Sequence, residues 1–129
     1  MLFRSINLEK IKEFTGVKID EIVFAGGASK GELCSQTLAD VTGCRVKIPK
    51  VTEATALGAC IAAGVGAGVY SSLVDAAKEL VVWERVYEPN MQNHMQYQQI
   101  KEQWSAAYAS QLELVDKNIT TSMWKAPGL

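Results

Sequence analysis

The spacing of apolar residues predicts strands that alternate with helices in the first half of the chain. Apolar positions recur at helical intervals from Leu2 to Phe14, and Gly16 follows as a stop signal. An unbroken apolar run within residues 20–25 predicts a strand buried on both faces. A helix is expected over residues 30–42, and its inward positions are Leu33, Leu38 and Val41.

The next elements are bounded by capping residues and proline. Residues 45–48 alternate between polar and apolar side chains, which predicts a strand nearer an edge of the sheet, ended by Pro49. Thr52 has the character of a helix cap, and Glu53 suits the positive end of the helix dipole. A further helix is expected to begin after Ser71 or Ser72.

A short strand and a long helix are predicted for the last third. Residues 81–87 alternate loosely, and Asn90 is placed to open the helix. The helix carries an apolar stripe whose usual role is packing: Tyr97, Ile100, Trp104, Tyr108 and Leu112. The tail over residues 120–129 has no regular pattern. The fold class is therefore α/β, with at least one parallel βαβ unit and a long C-terminal helix.

This set of strands is small for an independent sheet. Two clear strands and one weaker strand fall short of a typical sheet, although the first strand has the composition of a central one. We therefore expect the chain to form part of a larger domain, with an exposed sheet edge through which a homodimer could assemble.

Composition excludes several classes of function. The 129 residues carry a net charge of −1 without a basic cluster, so no nucleic-acid partner is expected. Cys34, Cys44 and Cys60 are odd in number and form no C-x-x-C pair, which favours reduced thiols in a cytoplasmic protein. His94 has no neighbouring Cys or His, so no metal site is predicted.

One uncharged segment raises the question of a membrane span. Residues 54–70 contain no charge and include Gly64-x-x-x-Gly68, a spacing found in paired transmembrane helices. The run is short for a bilayer and consists largely of Ala and Gly. A close-packed helix with a small-residue face, including Gly58 and Ala62, is the preferred interpretation, and no membrane partner is expected.

The most informative stretch is a glycine turn that follows the first strand. Residues 22–31 read Ile-Val-Phe-Ala-Gly-Gly-Ala-Ser-Lys-Gly, and Ser29 and Glu32 have the spacing of a capping box. A turn of this kind exposes backbone N–H groups and the positive end of a helix dipole. Both a nucleotide contact and a plain chain reversal fit that pattern.

Two common nucleotide motifs do not fit. Gly26 and Gly31 have the glycine spacing of a P-loop, but Glu32 and Leu33 replace the Lys and the Ser or Thr that bind phosphate and Mg²⁺. The G-x-G-x-x-G pattern also fails, because Gly26 and Gly27 are adjacent.

Several segments together resemble the C-terminal domain of the FGGY carbohydrate kinases. They are residues 24–31, Gln36, residues 38–40 (Leu-Ala-Asp) and residues 53–59 (Glu-Ala-Thr-Ala-Leu-Gly-Ala). Similarity to one member of the family also includes Val-Lys-Ile-Pro at 46–49, residues 53–68, and the tail Thr-Thr-Ser-Met-Trp-Lys-Ala-Pro-Gly-Leu at 120–129. The resemblance therefore covers nearly the whole chain.

The resemblance implies a fold and a set of ligands. Residues 1–129 would be the C-terminal portion of the nucleotide-side domain, part of an actin-like, ribonuclease H-like ATPase fold. The ligands would be ATP or ADP with Mg²⁺, and a small carbohydrate-like substrate bound by an N-terminal lobe outside these residues.

Site residues follow from the matched positions. Gly26, Gly27 and Ala28 match the segment that lies against the adenosine and the α-phosphate. Gly31 stands where many relatives carry an adenine-binding Asn, so base recognition there would need other groups. Gln36 matches the helix after the turn.

Three further positions keep two interpretations each. Gln36 and Asp40 are expected either to bind the nucleotide or to hold nearby backbone, and Lys30 either to reach phosphate or to remain solvated. The helix that carries Thr55 and Gly58 would support the turn from behind.

No catalytic residue is expected within the chain, because the family's general-base Asp and most Mg²⁺ contacts lie upstream of the matched segments. The chain alone is thus expected to be inactive, since phosphoryl transfer depends on such groups. Two alternatives stay open: part of another sugar or polyol kinase, acting on xylulose, ribulose or glycerol, and a non-catalytic binding or oligomerisation module.

Overall fold

A computed structural model describes residues 2–121 of the chain, with side chains from residue 5 onward. Its elements, in order, are α1 (Leu2–Thr15), β1 (Glu21–Val23), a 3₁₀ turn (Gly27–Lys30), α2 (Glu32–Thr42), β2 (Arg45–Pro49), α3 (Ala54–Gly66), α4 (Leu73–Leu80), β3 (Trp83–Tyr87) and α5 (Met91–Asp116). The predicted α/β class and long C-terminal helix are confirmed. The predicted irregular tail lies outside the described residues beyond 121.

The three strands form one mixed sheet in the order β1-β2-β3. β1 pairs parallel with β2, with Ile22 opposite Val46. β2 pairs antiparallel with β3, with Val46 opposite Tyr87. The unit β1-α2-β2 is therefore the parallel βαβ unit that the sequence predicted.

The core lies between α2 and one face of the sheet. Leu38 and Ala39 of α2 pack against Val46 and Ile48 of β2, and all four are buried. Ile22, Phe24 and Tyr87 surround this cluster. Because alternate strand residues face opposite sides, Lys47 points away from this core, and its ammonium lies 5.1 Å from the ring centre of Trp83.

The prediction that residues 45–48 lie nearer an edge was wrong, because β2 is the middle strand of the three. Within the described residues β1 is three residues long and borders the sheet, with Val23 59% exposed. The polar alternation in β2 reflects surface ion pairs rather than an edge position. Lys47 and Arg45 both approach the Glu21 carboxylate, at 3.0 and 3.4 Å.

Most predicted helix boundaries are confirmed by their caps. Ser72 accepts a hydrogen bond from the Asp75 N–H at the start of α4. Asn90 accepts two from the first turn of α5. Gly43 ends α2 in a left-handed conformation, with φ +66°. Thr52 was wrongly predicted as a cap, because Glu53 is the residue that precedes α3 and no side chain caps that helix.

Two apolar residues of the predicted helices, one of them expected to face inward, are exposed. Leu33 is 82% exposed in the first turn of α2, and Phe14 is 93% exposed near the end of α1. Ile61 is the one buried residue of α3, contrary to the close-packed helix predicted there. No helix within residues 2–121 combines the length and the apolar character needed to cross a bilayer.

Candidate nucleotide site

The glycine turn is anchored on two sides by backbone hydrogen bonds. Phe24 donates to the carbonyl of Lys47 in β2 at 2.9 Å, which continues the parallel pairing past the end of β1. Gly26 then adopts φ +91°, a backbone conformation that favours glycine, and donates to the Thr52 carbonyl at 2.9 Å. The turn is thereby fixed between β2 and the residues that lead into α3.

A 3₁₀ turn follows Gly26 and replaces the predicted capping box. The buried Ser29 hydroxyl donates to the Gly26 carbonyl at 2.7 Å instead of capping a downstream N–H. Gly31 precedes α2, and no side chain caps this helix. The capping-box prediction was wrong because Ser29 and Glu32 belong to two separate helical segments.

A second buried hydroxyl joins the turn to α2. The Ser35 Oγ donates to the Gly31 carbonyl at 3.0 Å and lies 3.3 Å from the Ser29 carbonyl. Ser35 and Ser29 are both fully buried. These short polar side chains hold the backbone of the turn against the first turn of the helix.

The outer surface of the turn is open. Gly27, Ala28 and Gly31 are exposed. A β-carbon placed on Gly27 would meet no described atom within 4 Å apart from the residues adjacent in sequence, so packing within these residues does not require glycine there. The N–H groups that open a helical turn also have no acceptor within it. The arrangement can thus offer backbone donors to an anionic or polar ligand that approaches closely.

Gln36 and Asp40 lie on the face of α2 that meets the start of α5. The Gln36 amide nitrogen donates to Asp40 Oδ1 at 2.7 Å and to the Glu88 carbonyl at 2.9 Å. Asp40 also accepts from the Asn90 N–H and from the Asn93 amide, each at 2.8 Å. These bonds match the structural interpretation of both residues.

The environment of the Asp40 carboxyl favours its ionised form. Burial opposes ionisation, but hydrogen bonds from Asn93, Asn90 and Gln36 outweigh it and hold the pKa of the Asp40 carboxyl below its ordinary value. The group is 3% exposed. Asp40 therefore acts as a buried acceptor that joins α2 to α5.

The remaining candidates are placed as follows. Lys30 is exposed, as expected for a solvated lysine. Thr55 and Gly58 lie on the exposed surface of α3, and the hydrogen bond to the turn comes from the Thr52 carbonyl, two residues before this helix. Within residues 2–121, no three His, Cys, Asp or Glu side chains are grouped so as to hold a metal ion. The three cysteines are free thiols.

Two parts of the site carried no sequence signal. Thr52 binds Gly26 through its backbone carbonyl, so the identity of the Thr52 side chain does not indicate this contact. Asn93 lies 53 residues from Asp40, and no local pattern links them. Ser35 could have been noticed as a polar residue on the inward face of α2.

Comparison with known proteins gives this turn a family context. The sequence profile described as "FGGY family of carbohydrate kinases, C-terminal domain" matches residues 3–67, about half of the chain. This chain belongs to the FGGY family. The matched segment includes the whole glycine turn, α2, β2 and α3 of the FGGY domain.

Curated relatives of this FGGY domain include autoinducer-2 kinases. That of Salmonella paratyphi B is 58% identical over 123 residues, and that of Yersinia enterocolitica is 57% identical over the same length. The Yersinia pestis protein is 58% identical. Each match covers 95% of this chain and 23% of the relative, so the chain spans under a quarter of the length of these relatives.

Solved structures share the fold of this FGGY domain. A ligand-bound xylulose kinase and a gluconate kinase, both from Lactobacillus acidophilus, superpose with a TM-score of 0.65 at 20% identity. Each superposition covers 70% of this chain and 18% of the other. The arrangement of helices around the sheet is therefore that of FGGY sugar kinases.

Proposed function

We propose that residues 1–129 form the C-terminal, nucleotide-side portion of an ATP-dependent kinase for the quorum signal autoinducer-2. The parent enzyme would phosphorylate the primary hydroxyl of 4,5-dihydroxy-2,3-pentanedione and retain the product in the cytoplasm. The observation that carries the proposal is the 56–58% identity to autoinducer-2 kinases over 95% of the chain.

The glycine turn is the proposed contact with ATP or ADP. Gly26, Gly27 and Ala28 would lie against the adenosine and α-phosphate, and Gly31 would border the adenine. The open space at the Gly27 β-carbon position is compatible with this assignment, because it leaves room for a ligand to approach the backbone.

Gln36 has a secondary place in the proposed pocket. Its amide nitrogen already donates to Asp40 and to the Glu88 carbonyl, so a contact with nucleotide would come from its amide oxygen. That oxygen could accept from a ribose hydroxyl or an adenine amino group. Gln36 would then connect the nucleotide to the junction of α2 and α5.

The chain would contribute to nucleotide binding but would supply no catalytic residue. Phosphoryl transfer requires a positioned acceptor hydroxyl, a base and charge stabilisation by Mg²⁺. The general base, most Mg²⁺ contacts and the sugar-binding lobe are proposed to come from the remainder of the parent enzyme. We therefore propose that the isolated chain is inactive.

A chimera tests the assignment directly. This chain replaces the corresponding C-terminal segment of the Salmonella typhimurium autoinducer-2 kinase, which is 57% identical over 123 residues. We expect the chimera to phosphorylate autoinducer-2 within about tenfold of the parental kcat/KM, equivalent to about 1.4 kcal/mol of transition-state stabilisation. The chain alone should show no phosphotransfer.

A second chimera addresses the alternative of another sugar kinase. The same segment is grafted into the Lactobacillus acidophilus xylulose kinase, to which this chain is 20% identical. We expect this graft to be inactive. Activity of the xylulose kinase chimera without activity of the autoinducer-2 kinase chimera would overturn the substrate assignment.

The open edge of β1 supports a further proposal about partners. In the described residues β1 pairs with β2 alone, which leaves its other edge free for another strand. We propose that strands of the parent kinase cover this edge, and that a second copy covers it when the chain is isolated. Light scattering should then show a dimer that Val23→Lys converts to a monomer. A monomeric wild-type chain would contradict the homodimer.

A further inference from the structure

An acidic and a basic side chain meet beside the last residue of the glycine turn. Glu32 follows Gly31 directly and opens α2, and its side chain is 82% exposed. Its Oε1 lies 3.8 Å from Nη1 of Arg85, which belongs to β3. Because this separation is longer than a hydrogen bond, the two charged groups attract each other without being joined by one.

Arg85 has unused capacity to donate hydrogen bonds. Its Nη1 donates to the Tyr87 hydroxyl at 3.2 Å. Within the described residues, its Nε is buried and has no acceptor. A guanidinium carries five N–H donors, and a buried donor without an acceptor is unfavourable. The side chain is nevertheless 31% exposed, so a ligand can reach part of it.

The packing of β3 against α2 fixes the position of Arg85. Tyr87, which holds the guanidinium, packs against the core cluster between α2 and the sheet. One helical turn beyond Glu32, the Gln36 amide donates to the Glu88 carbonyl just past the end of β3. Glu32 and Gln36 lie on the same side of α2, because they are four positions apart. That side of the helix therefore faces β3.

Adenine presents groups complementary to this pair. Its amino group donates hydrogen bonds, and the neighbouring ring nitrogen N7 accepts one. A carboxylate accepts from an amino group, whereas a guanidinium donates to a ring nitrogen. Guanine and hypoxanthine carry a carbonyl oxygen in place of this amino group, which sets one acceptor against another at the carboxylate. The pair thus has the chemistry to distinguish adenine from a 6-oxopurine.

We propose that Glu32 and Arg85 recognise the adenine base, with Glu32 accepting from the amino group and Arg85 donating to N7. This role of the pair rests on the proposed nucleotide site, in which Gly31 borders the adenine. Gly31 has no side chain with which to recognise the base, and Glu32 is the next residue in the chain. The amino group has two hydrogens, so Gln36 can accept the second one.

Parallel titrations of ADP and inosine diphosphate into the 129-residue chain test the role of Glu32. The two ligands differ at the amino group, which is a carbonyl in inosine diphosphate. We expect the wild type to bind ADP at least about tenfold more tightly. In Glu32→Gln this preference should fall below about threefold, because an amide can present either an acceptor or a donor to the base. Glu21→Gln removes the carboxylate of another surface ion pair and should retain the full preference.

The role of Arg85 is tested by affinity rather than by preference, because N7 is present in both bases. Arg85→Gln should weaken ADP and inosine diphosphate binding alike, by at least about fivefold. Tyr87→Phe removes the hydroxyl that accepts from Arg85 but keeps the guanidinium, so it should bind ADP within about twofold of the wild type.

Three results would overturn base recognition by this pair while leaving the nucleotide site in place. They are equal binding of the two nucleotides by the wild type, an unchanged preference in Glu32→Gln, and an unchanged ADP affinity in Arg85→Gln. A wild-type chain that bound neither nucleotide would overturn both the base recognition and the proposed nucleotide site.

Discussion

The imidazole of His94 occupies the space that a side chain on Gly43 would need. A β-carbon built on Gly43 would lie 2.8 Å from Cε1 of the ring, a separation that side chains do not tolerate. His94 Nδ1 in turn lies 2.8 Å from the Asp40 carbonyl oxygen. The C-terminal glycine of α2 thus supplies both a left-handed turn and a place for the first turn of α5.

Gly43→Ala should be strongly destabilising. The left-handed conformation costs about 1–2 kcal/mol with a β-carbon, and the collision with His94 adds to it, so we expect a loss of about 2–4 kcal/mol in the free energy of unfolding. Urea denaturation measures this loss. The double variant with His94→Ala removes the collision and should cost less than the two single changes combined. Fully additive changes in the free energy of unfolding would contradict the predicted collision between a side chain at position 43 and His94.

Asp40→Ala should weaken the junction of α2 and α5. The change leaves the Asn90 N–H and the Asn93 amide without their acceptor, whereas the Gln36 amide keeps its bond to the Glu88 carbonyl. A donor that loses its partner in this part-buried site costs about 1–3 kcal/mol in the free energy of unfolding. We expect a total loss of about 2–4 kcal/mol, since water can satisfy part of the site. Glu21→Gln is a control, because Glu21 forms only surface ion pairs and should have a small effect.

The same carboxylate should make the fold sensitive to acid. Hydrogen bonds lower the folded-state pKa of Asp40 below the ordinary value of 3.8, so the folded state binds this proton less readily than the unfolded state. The stabilisation is fully present above the unfolded-state pKa and is lost as the pH falls through the folded-state pKa. Unfolding free energies measured from pH 7 downward should therefore decline below about pH 4, and Asp40→Asn should reduce this slope. Identical slopes would exclude Asp40 as a contributor.

Gly27→Val should affect nucleotide binding without affecting the fold. Because no described atom apart from the residues adjacent in sequence lies within 4 Å of the new β-carbon, we expect the free energy of unfolding to change by less than about 0.5 kcal/mol. The affinity for ADP in calorimetric titration should fall at least about tenfold. Gly66→Val, at another open position at the end of α3, is the matched control and should bind like the wild type. Equal binding by wild type and Gly27→Val would disprove the site.

Ser29→Ala should loosen the glycine turn from within. Loss of the 2.7 Å hydrogen bond to the Gly26 carbonyl should cost about 1 kcal/mol of stability. It should also reduce ADP affinity several-fold, since the backbone donors would be less ordered before binding. Ser110→Ala removes an exposed hydroxyl that bonds within α5 and should change neither quantity. An unaltered ADP affinity of the Ser29→Ala variant would show that the buried Ser29 hydroxyl does not contribute to ligand binding.

Local signals predicted most elements of the fold, whereas pairing between distant strands escaped prediction. Gly43, Ser72 and Asn90 act within one or two helical turns of themselves, so their caps could be recognised from sequence. The central position of β2 depends on β3, which begins more than thirty residues later. The apolar run of β1 predicted burial on both faces, but within the described residues Ile22 packs on the core while Val23 remains exposed.

The candidate site shows the same contrast between local features, which the sequence predicts, and long-range contacts, which it does not. The glycine turn could be located because its residues are contiguous, but its anchors could not. Ser29 fits a capping box by spacing, yet the break at Gly31 gives its hydroxyl a different acceptor. The network around Asp40 draws on residues 50 and 53 positions away, which sequence spacing cannot connect.

The hydrogen bond from Gly26 to the Thr52 carbonyl has a thermodynamic consequence for the parent enzyme. It attaches the glycine turn to the start of α3, a helix whose surface is largely exposed in this chain. A protein surface that displaces α3 would also displace the backbone that we propose contacts nucleotide. If nucleotide binds there, reciprocity requires it to alter the affinity of α3 for that surface by the same factor. Binding of nucleotide at the proposed site and binding of a protein to α3 would therefore be thermodynamically coupled.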